Sequence, residues 1–496
     1  MNYISTRNKS LKATAAEAIA KGISEEGGLF VPDSFPSLSE ADFKELCSLD
    51  YVGRAKKILR LFLNDFTDEE IDYCAKGAYV GSFDEDKPAP LVALDDKINI
   101  MELWHGPTCA FKDLALQLLP YLLTTSAKKV QNGKKTVILV ATSGDTGKAA
   151  LEGFKDVEGT EIIVFYPSDG VSPMQKLQMD SQKGENVCVC AIKGNFDDAQ
   201  TGVKRIFTDK AMKELLADNN MLFSSANSIN WGRLAPQIIY YVSAYCDLLK
   251  KDSATRENGF NVVVPTGNFG NILAAYYAKK MGVPVKKLIC ASNANNVLTD
   301  FINTGKYDRN REFFTTCSPS MDILISSNLE RMLFVISGND DKTVSALQES
   351  LSKDGVYEVS AEIKSAMGEL FWGGCCDDSE TLKTINETFK KYGYLCDTHT
   401  AVAVNVYNQY VAATGDNTTT VIASTASPYK FAKSVLSAIS DKEENSEFSY
   451  VRALSEATNT KIPSPIAELE NAEVRFKNVC DKTEMTQVIK KALKID

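Results

Sequence analysis

Val262-Val263-Val264-Pro265-Thr266-Gly267-Asn268-Phe269-Gly270-Asn271, with the helical run Ile272 to Met281 behind it, decides how this chain folds. A short β-branched run that ends in a glycine turn and passes into a helix is the repeating unit of a parallel sheet. The unit recurs upstream. Thr136-Val137-Ile138-Leu139-Val140 leads through Ala141-Thr142-Ser143-Gly144-Asp145-Thr146-Gly147 into a helical run from Lys148 through Phe154, and Glu161-Ile162-Ile163-Val164-Phe165 is a further strand. The alternation predicts an α/β protein with parallel or mixed sheets flanked by helices, beginning near residue 90. Residues 1–85 read differently. Charged helical segments such as Ala41 to Leu49 and Asp68 to Lys76, broken by Gly27-Gly28 and by Pro32 to Pro36, predict a separate helical N-terminal module. Charged stretches near 250–258 and 440–447 read as solvated loops or boundaries, so the core is expected over 90–450 and a C-terminal helical extension over 451–496.

Both glycine turns carry chemistry. A loop with free backbone N–H groups at a helix N-terminus suits an anion such as a carboxylate or phosphate. For Thr142 to Gly147 the plain alternative is a Ser/Asp cap on an ordinary helix. For Gly267 to Asn271 it is a strained turn that needs glycine at positive φ. Gly144 to Lys148 is not a Walker A loop, because the required first glycine falls at Thr142 and Ala149 stands where Ser or Thr would hold magnesium. Gly194-Asn195-Phe196 lacks the second glycine and, with Asp197 and Asp198 opening a helix, reads as a cap.

A third stretch, His105-Gly106-Pro107-Thr108-Cys109-Ala110-Phe111-Lys112-Asp113, places one lysine between a tight turn and an apolar run in which Leu114, Leu118, Leu119 and Leu122 recur at helical spacing. At a loop-helix junction facing a crowded interior, burial disfavours the ammonium and leaves a nucleophilic amine. Composition narrows the chemistry. With 496 residues and 44% hydrophobic content the chain can bury a large core, in two to four domains at about 150 residues each. A formal net charge of −10 argues against nucleic acid or an anionic membrane surface as main partner. The N-terminus lacks an apolar leader, and no run approaches the roughly 18 apolar residues of a spanning helix, so a cytoplasmic location is expected. The twelve cysteines are scattered without zinc-site spacing, and the only histidines are His105 and His399. No metal site and no Ser-His-Asp triad are expected. Lysine with an organic cofactor is the favoured chemistry.

The order and number of motifs carry a resemblance over nearly the whole chain. Tyr3 to Arg7, Gly28 to Pro32, His105 to Asp113, Thr142 to Gly147, Ser225 to Asn230, Gly267 to Gly270, Asp397 to Ala401 and Thr425-Ala426 resemble the threonine synthase family, pyridoxal-phosphate enzymes of fold type II, the tryptophan-synthase-β group. The resemblance implies two α/β subdomains with pyridoxal 5'-phosphate in the cleft between them. Lys112 matches the lysine that bonds the cofactor. Gly267, Asn268, Phe269, Gly270 and Asn271 match the loop that holds its phosphate, and Thr425 falls where a hydroxyl contacts the pyridine nitrogen. Ser143, Thr146, Asn227 and Arg233 match groups that receive the substrate's carboxylate and phosphate; the alternative for Arg233 is a structural ion pair. The implied reaction turns O-phospho-L-homoserine and water into L-threonine and phosphate. A phosphohomoserine lyase or a serine/threonine dehydratase would share the lysine and the glycine loop. The sequence departs from the family at Ser427, where many relatives have His, and at Asn271, where many have Asp. It leaves monomer and homodimer both open.

Overall fold

The computed structural model describes residues 1–84, 88–142, 144–168 and 171–495. Two sheets organise it. The larger has six strands in the order Phe371–Cys375, Val285–Ser292, Phe260–Pro265, Thr420–Ser424, Ile98–Glu102, Leu91–Ala93. All its pairings are parallel except that of Leu91–Ala93 at the edge. The second has five parallel strands in the order Val479–Asp481, Val187–Lys193, Thr160–Pro167, Lys135–Ala141, Met221–Ser224. Val262, Val263 and Val264, like Val137 to Val140, are wholly buried, as central strands covered on both faces must be. The predicted α/β class with mixed and parallel sheets is the architecture found.

The N-terminal segment is mainly helical, as expected, with a small sheet that the sequence did not announce. Its four helices, Ala15–Lys21, Glu40–Ser48, Tyr51–Phe62 and Asp68–Tyr79, accompany a three-stranded antiparallel sheet of Lys12–Ala13, Tyr3–Ser5 and Phe30–Pro32. Strands of two or three residues are too short to show any periodicity. This segment also shares its core with the rest of the molecule. The Tyr3 ring lies 5.2 Å from Trp231, and Phe43 meets Tyr245 edge-on at 5.0 Å. At the other terminus, Val479–Asp481 interrupts the expected helical extension by adding a parallel edge strand to Val187–Lys193.

One close approach fixes the helix that follows Lys112. Gly153, in the helix Asp145–Phe154, packs so tightly on the short helix Asp113–Leu116 that an added Cβ would sit 2.0 Å from the Leu116 carbonyl oxygen. Gly153→Ala is therefore expected to destabilise the fold by about 1–3 kcal/mol, despite alanine's better helix propensity. Denaturant unfolding measures this, and an unchanged midpoint would show that the two helices separate easily.

Candidate active site

Five of the segments singled out in the sequence lie at the C-terminal end of a parallel strand, where open α/β sheets place their ligands. The lysine loop follows Ile98–Glu102, Thr425 follows Thr420–Ser424, and the glycine loop follows Phe260–Pro265. The turn at Gly144 follows Lys135–Ala141, and Asn227 follows Met221–Ser224. Ser143 lies outside the described residues.

Lys112 sits at the start of the helix Asp113–Leu116, as its sequence setting predicted. The loop before it is held by Asp113, whose carboxylate accepts from the Thr108 amide at 2.8 Å and the Thr108 hydroxyl at 2.7 Å. Burial pushes the Asp113 carboxyl up to about 6, against those two bonds. The loop is also tied to the Thr425 turn, since the Phe111 amide donates to the Thr425 carbonyl at 2.8 Å and the Ser427 amide to the Cys109 carbonyl at 3.1 Å. The Lys112 side chain is 13% exposed, and among the described residues its amine makes no hydrogen bond. Burial lowers it to about 8; Asp145 opposes that fall, and the charges of Lys430 and Arg233 add to it. The amine thus exchanges its proton near neutral pH, as a nucleophile and base requires.

The glycine loop has the form of an anion cradle. Phe269 takes a left-handed conformation at φ 61°, and no side chain caps the helix Gly270–Lys280. Its first amides are left to a ligand. Asn271, the departure from the family pattern, is buried and accepts the Tyr241 hydroxyl through Oδ1, which leaves its Nδ2 with no protein partner. Asn268 is exposed, and its carbonyl accepts from Asn328 through both amide and side chain, each at 3.1 Å. At the other turn the Thr142 hydroxyl accepts from the Gly147 amide at 2.9 Å, and Asp145 points into the site instead of capping its helix. Thr146 lies in the first turn of that helix, half-buried. Asn195 and Asp198 form a reciprocal capping box, as read from the sequence.

Arg233 is 3% exposed, and among the described residues it has no carboxylate within ion-pair distance, which disfavours the structural ion pair. Its Nη1 donates to the Ala226 carbonyl while Nε has no partner. Burial lowers it to about 10, so it stays a cation at neutral pH. A buried arginine with an idle donor has the chemistry to receive an anion. Asn227, half-buried, is next to the carbonyl that Arg233 grips.

Several residues that complete the site escaped the sequence reading. Lys430, wholly buried, forms an ion pair with Asp145 at 2.7 Å. Gln175 and Ser320 donate to Asp145 at 3.0 and 3.2 Å, and the Ser320 amide donates to His399 Nε2 at 3.1 Å. His399 in turn donates through Nδ1 to Asp397 at 2.9 Å. Arg331 holds the surrounding segments together, donating to the carbonyls of Phe30, Ser228 and Ile229 and to Asn328. A lysine inside the apolar run Pro428-Tyr429-Lys430-Phe431 was the available signal for Lys430.

Lys112, the idle Arg233 Nε, the idle Asn271 Nδ2 and the uncapped start of the helix Gly270–Lys280 form a basic, donor-rich site between the ends of the two sheets. These residues fit a phosphorylated aldehyde cofactor together with an anionic substrate. The comparisons with known proteins agree. Residues 2–79 match the model for the threonine synthase N terminus, 85–425 that for pyridoxal-phosphate-dependent enzymes, and 400–489 that for the threonine synthase C-terminal region. Threonine synthase-like 1 of Homo sapiens is 40% identical over 93% of this chain, which spans 63% of that protein's length. Threonine synthase of Pseudomonas aeruginosa is 36% identical over 88% of this chain and 90% of its own. The crystal structure of threonine synthase from Brucella melitensis with bound PLP superposes with a TM-score of 0.88 at 34% identity, covering 99% of both chains. The chain belongs to the pyridoxal-phosphate-dependent enzymes and, among them, to the threonine synthase family.

Proposed function

We propose that the chain is a threonine synthase, converting O-phospho-L-homoserine and water into L-threonine and phosphate. The observation that carries the reading is the buried Arg233, whose Nε has no partner and which has no carboxylate within ion-pair distance among the described residues, in the site that also holds the buried Lys112 amine. When bound, pyridoxal phosphate supplies the electron sink for negative charge at the substrate's α carbon. In this reading Lys112 bonds the cofactor, and the amides of Gly267 to Asn271 receive its phosphate with the idle Asn271 Nδ2. The Lys112 amine takes protons from the substrate's α and β carbons; one returns to Cγ once phosphate has left and the other to the α carbon once water has added at Cβ, the proton lost by that water going to the phosphate. Ser143, Thr146 and Asn227 receive the substrate's carboxylate and phosphate with Arg233, whose fixed charge stabilises phosphate as it leaves. The all-thiol state of the twelve cysteines suits a reducing compartment, and we place the enzyme in the cytosol. We also propose the division 1–85, 90–450 and 451–496, with the first segment buttressing the substrate turn through the Arg331 bond to Phe30.

Threonine and phosphate released in equal amounts from phosphohomoserine test the reaction. Phosphate with 2-oxobutanoate would mark a phosphohomoserine lyase, and pyruvate from serine or 2-oxobutanoate from threonine, with no turnover of phosphohomoserine, a dehydratase.

Thr425 gives a separate test. A neutral hydroxyl at the ring nitrogen makes a milder electron sink than a carboxylate would. Thr425→Asp is expected to alter the visible spectrum of the loaded enzyme and to shift products towards side reactions such as transamination. Unchanged spectra and product ratios would remove Thr425 from the ring.

A further inference from the structure

Two lysines face one carboxylate at the centre of the site. Asp145 is 3% exposed; its Oδ1 lies 2.7 Å from Lys430 Nζ and its Oδ2 3.9 Å from Lys112 Nζ. Lys430 has no exposed side-chain surface, and its ammonium gives a further bond to the Thr108 carbonyl at 2.9 Å. Gln175 and Ser320 donate to the two oxygens of Asp145. The carboxylate is thus fixed from three sides, and its closest cation is not the reactive lysine. Resting on the reading of Lys112 as the cofactor lysine, we propose that Lys430 is a positioning residue: by serving as the counter-ion of Asp145, it keeps that carboxylate from locking Lys112 as an ammonium.

The surroundings leave this balance to few groups. Among the described residues, the further charges that act most on Lys112 besides Asp145 and Lys430 are Arg233, from the helix Trp231–Lys251, and Asp113 on its own helix. Lys148 and Glu152, on the helix that carries Asp145, pair with each other at 3.1 Å, and Lys148 also donates to Gln182 at 2.6 Å. Burial raises the Cys109 thiol to about 12, which keeps it neutral. With Lys430 neutralised, Asp145 would keep its Gln175 and Ser320 donors and find its remaining cation in Lys112. In a water-poor site a carboxylate at that range holds a proton on the amine strongly.

The test reads Lys112 itself in the full-length, cofactor-stripped protein. Acetic anhydride labelling across a pH series, with the Lys112 peptide followed by mass spectrometry, gives the midpoint at which the amine becomes free. Lys430→Met should raise that midpoint by about one pH unit, which leaves about tenfold less free amine at neutral pH. Lys430→Gln, which retains a donor for the Thr108 carbonyl while losing the charge, should do the same; it serves if the methionine variant does not fold. Lys430→Arg should restore the parent midpoint, and Asp145→Asn should lower it. A midpoint unmoved in folded Lys430→Gln would overturn the proposal and reduce Lys430 to a clamp on the lysine loop. The same holds if Lys430→Gln and Asp145→Asn move the midpoint in one direction. Failure of the cofactor-lysine reading has a different sign: a variant lacking the Lys112 amine would still take up the cofactor covalently.

Discussion

Lys112→Ala is expected to give a folded, colourless protein whose turnover falls by at least about a thousandfold, since both the covalent anchor and the base are lost. The expectation of folding comes from the structure. The Lys112 amine makes no hydrogen bond among the described residues and only a 3.9 Å contact with Asp145, which has Lys430 as a nearer partner. Truncation therefore removes a desolvated cation without stranding the carboxylate, and a large loss of stability has no source. Circular dichroism and thermal unfolding check the fold, the visible spectrum after incubation with pyridoxal phosphate checks the anchor, and phosphate release checks turnover. Normal threonine production by the variant would sink the site assignment.

The fold was legible where the chain repeats itself. Valine runs ending in Gly-containing turns announced parallel strands, and Val262 to Asn271 and Thr136 to Gly147 form the expected strand-turn-helix units at the ends of two sheets. Asn195 was legible because a cap is a local arrangement, closed within three residues. Tyr3–Ser5 and Val479–Asp481 were not, because a three-residue strand is stabilised by what it docks against and carries no pattern of its own. The polar centre of the site was hidden for a related reason. Asp145 stood in a quoted motif, but its partner Lys430 lies 285 residues further along, and nothing local says that a lysine in an apolar run is aimed at a particular carboxylate. Arg331 is a similar case: its acceptors at Phe30, Ser228 and Ile229 come from two distant segments, and only the packed molecule brings them to one guanidinium.

Arg233→Ala is expected to lower kcat by about tenfold to a thousandfold and to weaken phosphohomoserine binding, while cofactor affinity changes far less. The guanidinium is buried, cationic at neutral pH and free of any carboxylate partner among the described residues. Its charge is therefore available to an anion that gains charge as the reaction proceeds, and stabilisation that grows towards the transition state appears in kcat as well as in KM. The single bond to the Ala226 carbonyl fixes one edge of the guanidinium and leaves Nε uncommitted. Arg233→Lys should recover only part of the loss, since an ammonium replaces the planar fork with a point charge. The bond to Ala226 also supplies the competing account, in which Arg233 merely holds the turn that carries Asn227. The two accounts separate in the kinetics of phosphohomoserine turnover and in cofactor titration. If Arg233→Ala lowered cofactor affinity and left KM and kcat unchanged, the residue would be a brace for the Asn227 turn, and the anion receptor would have to be sought among the helix amides.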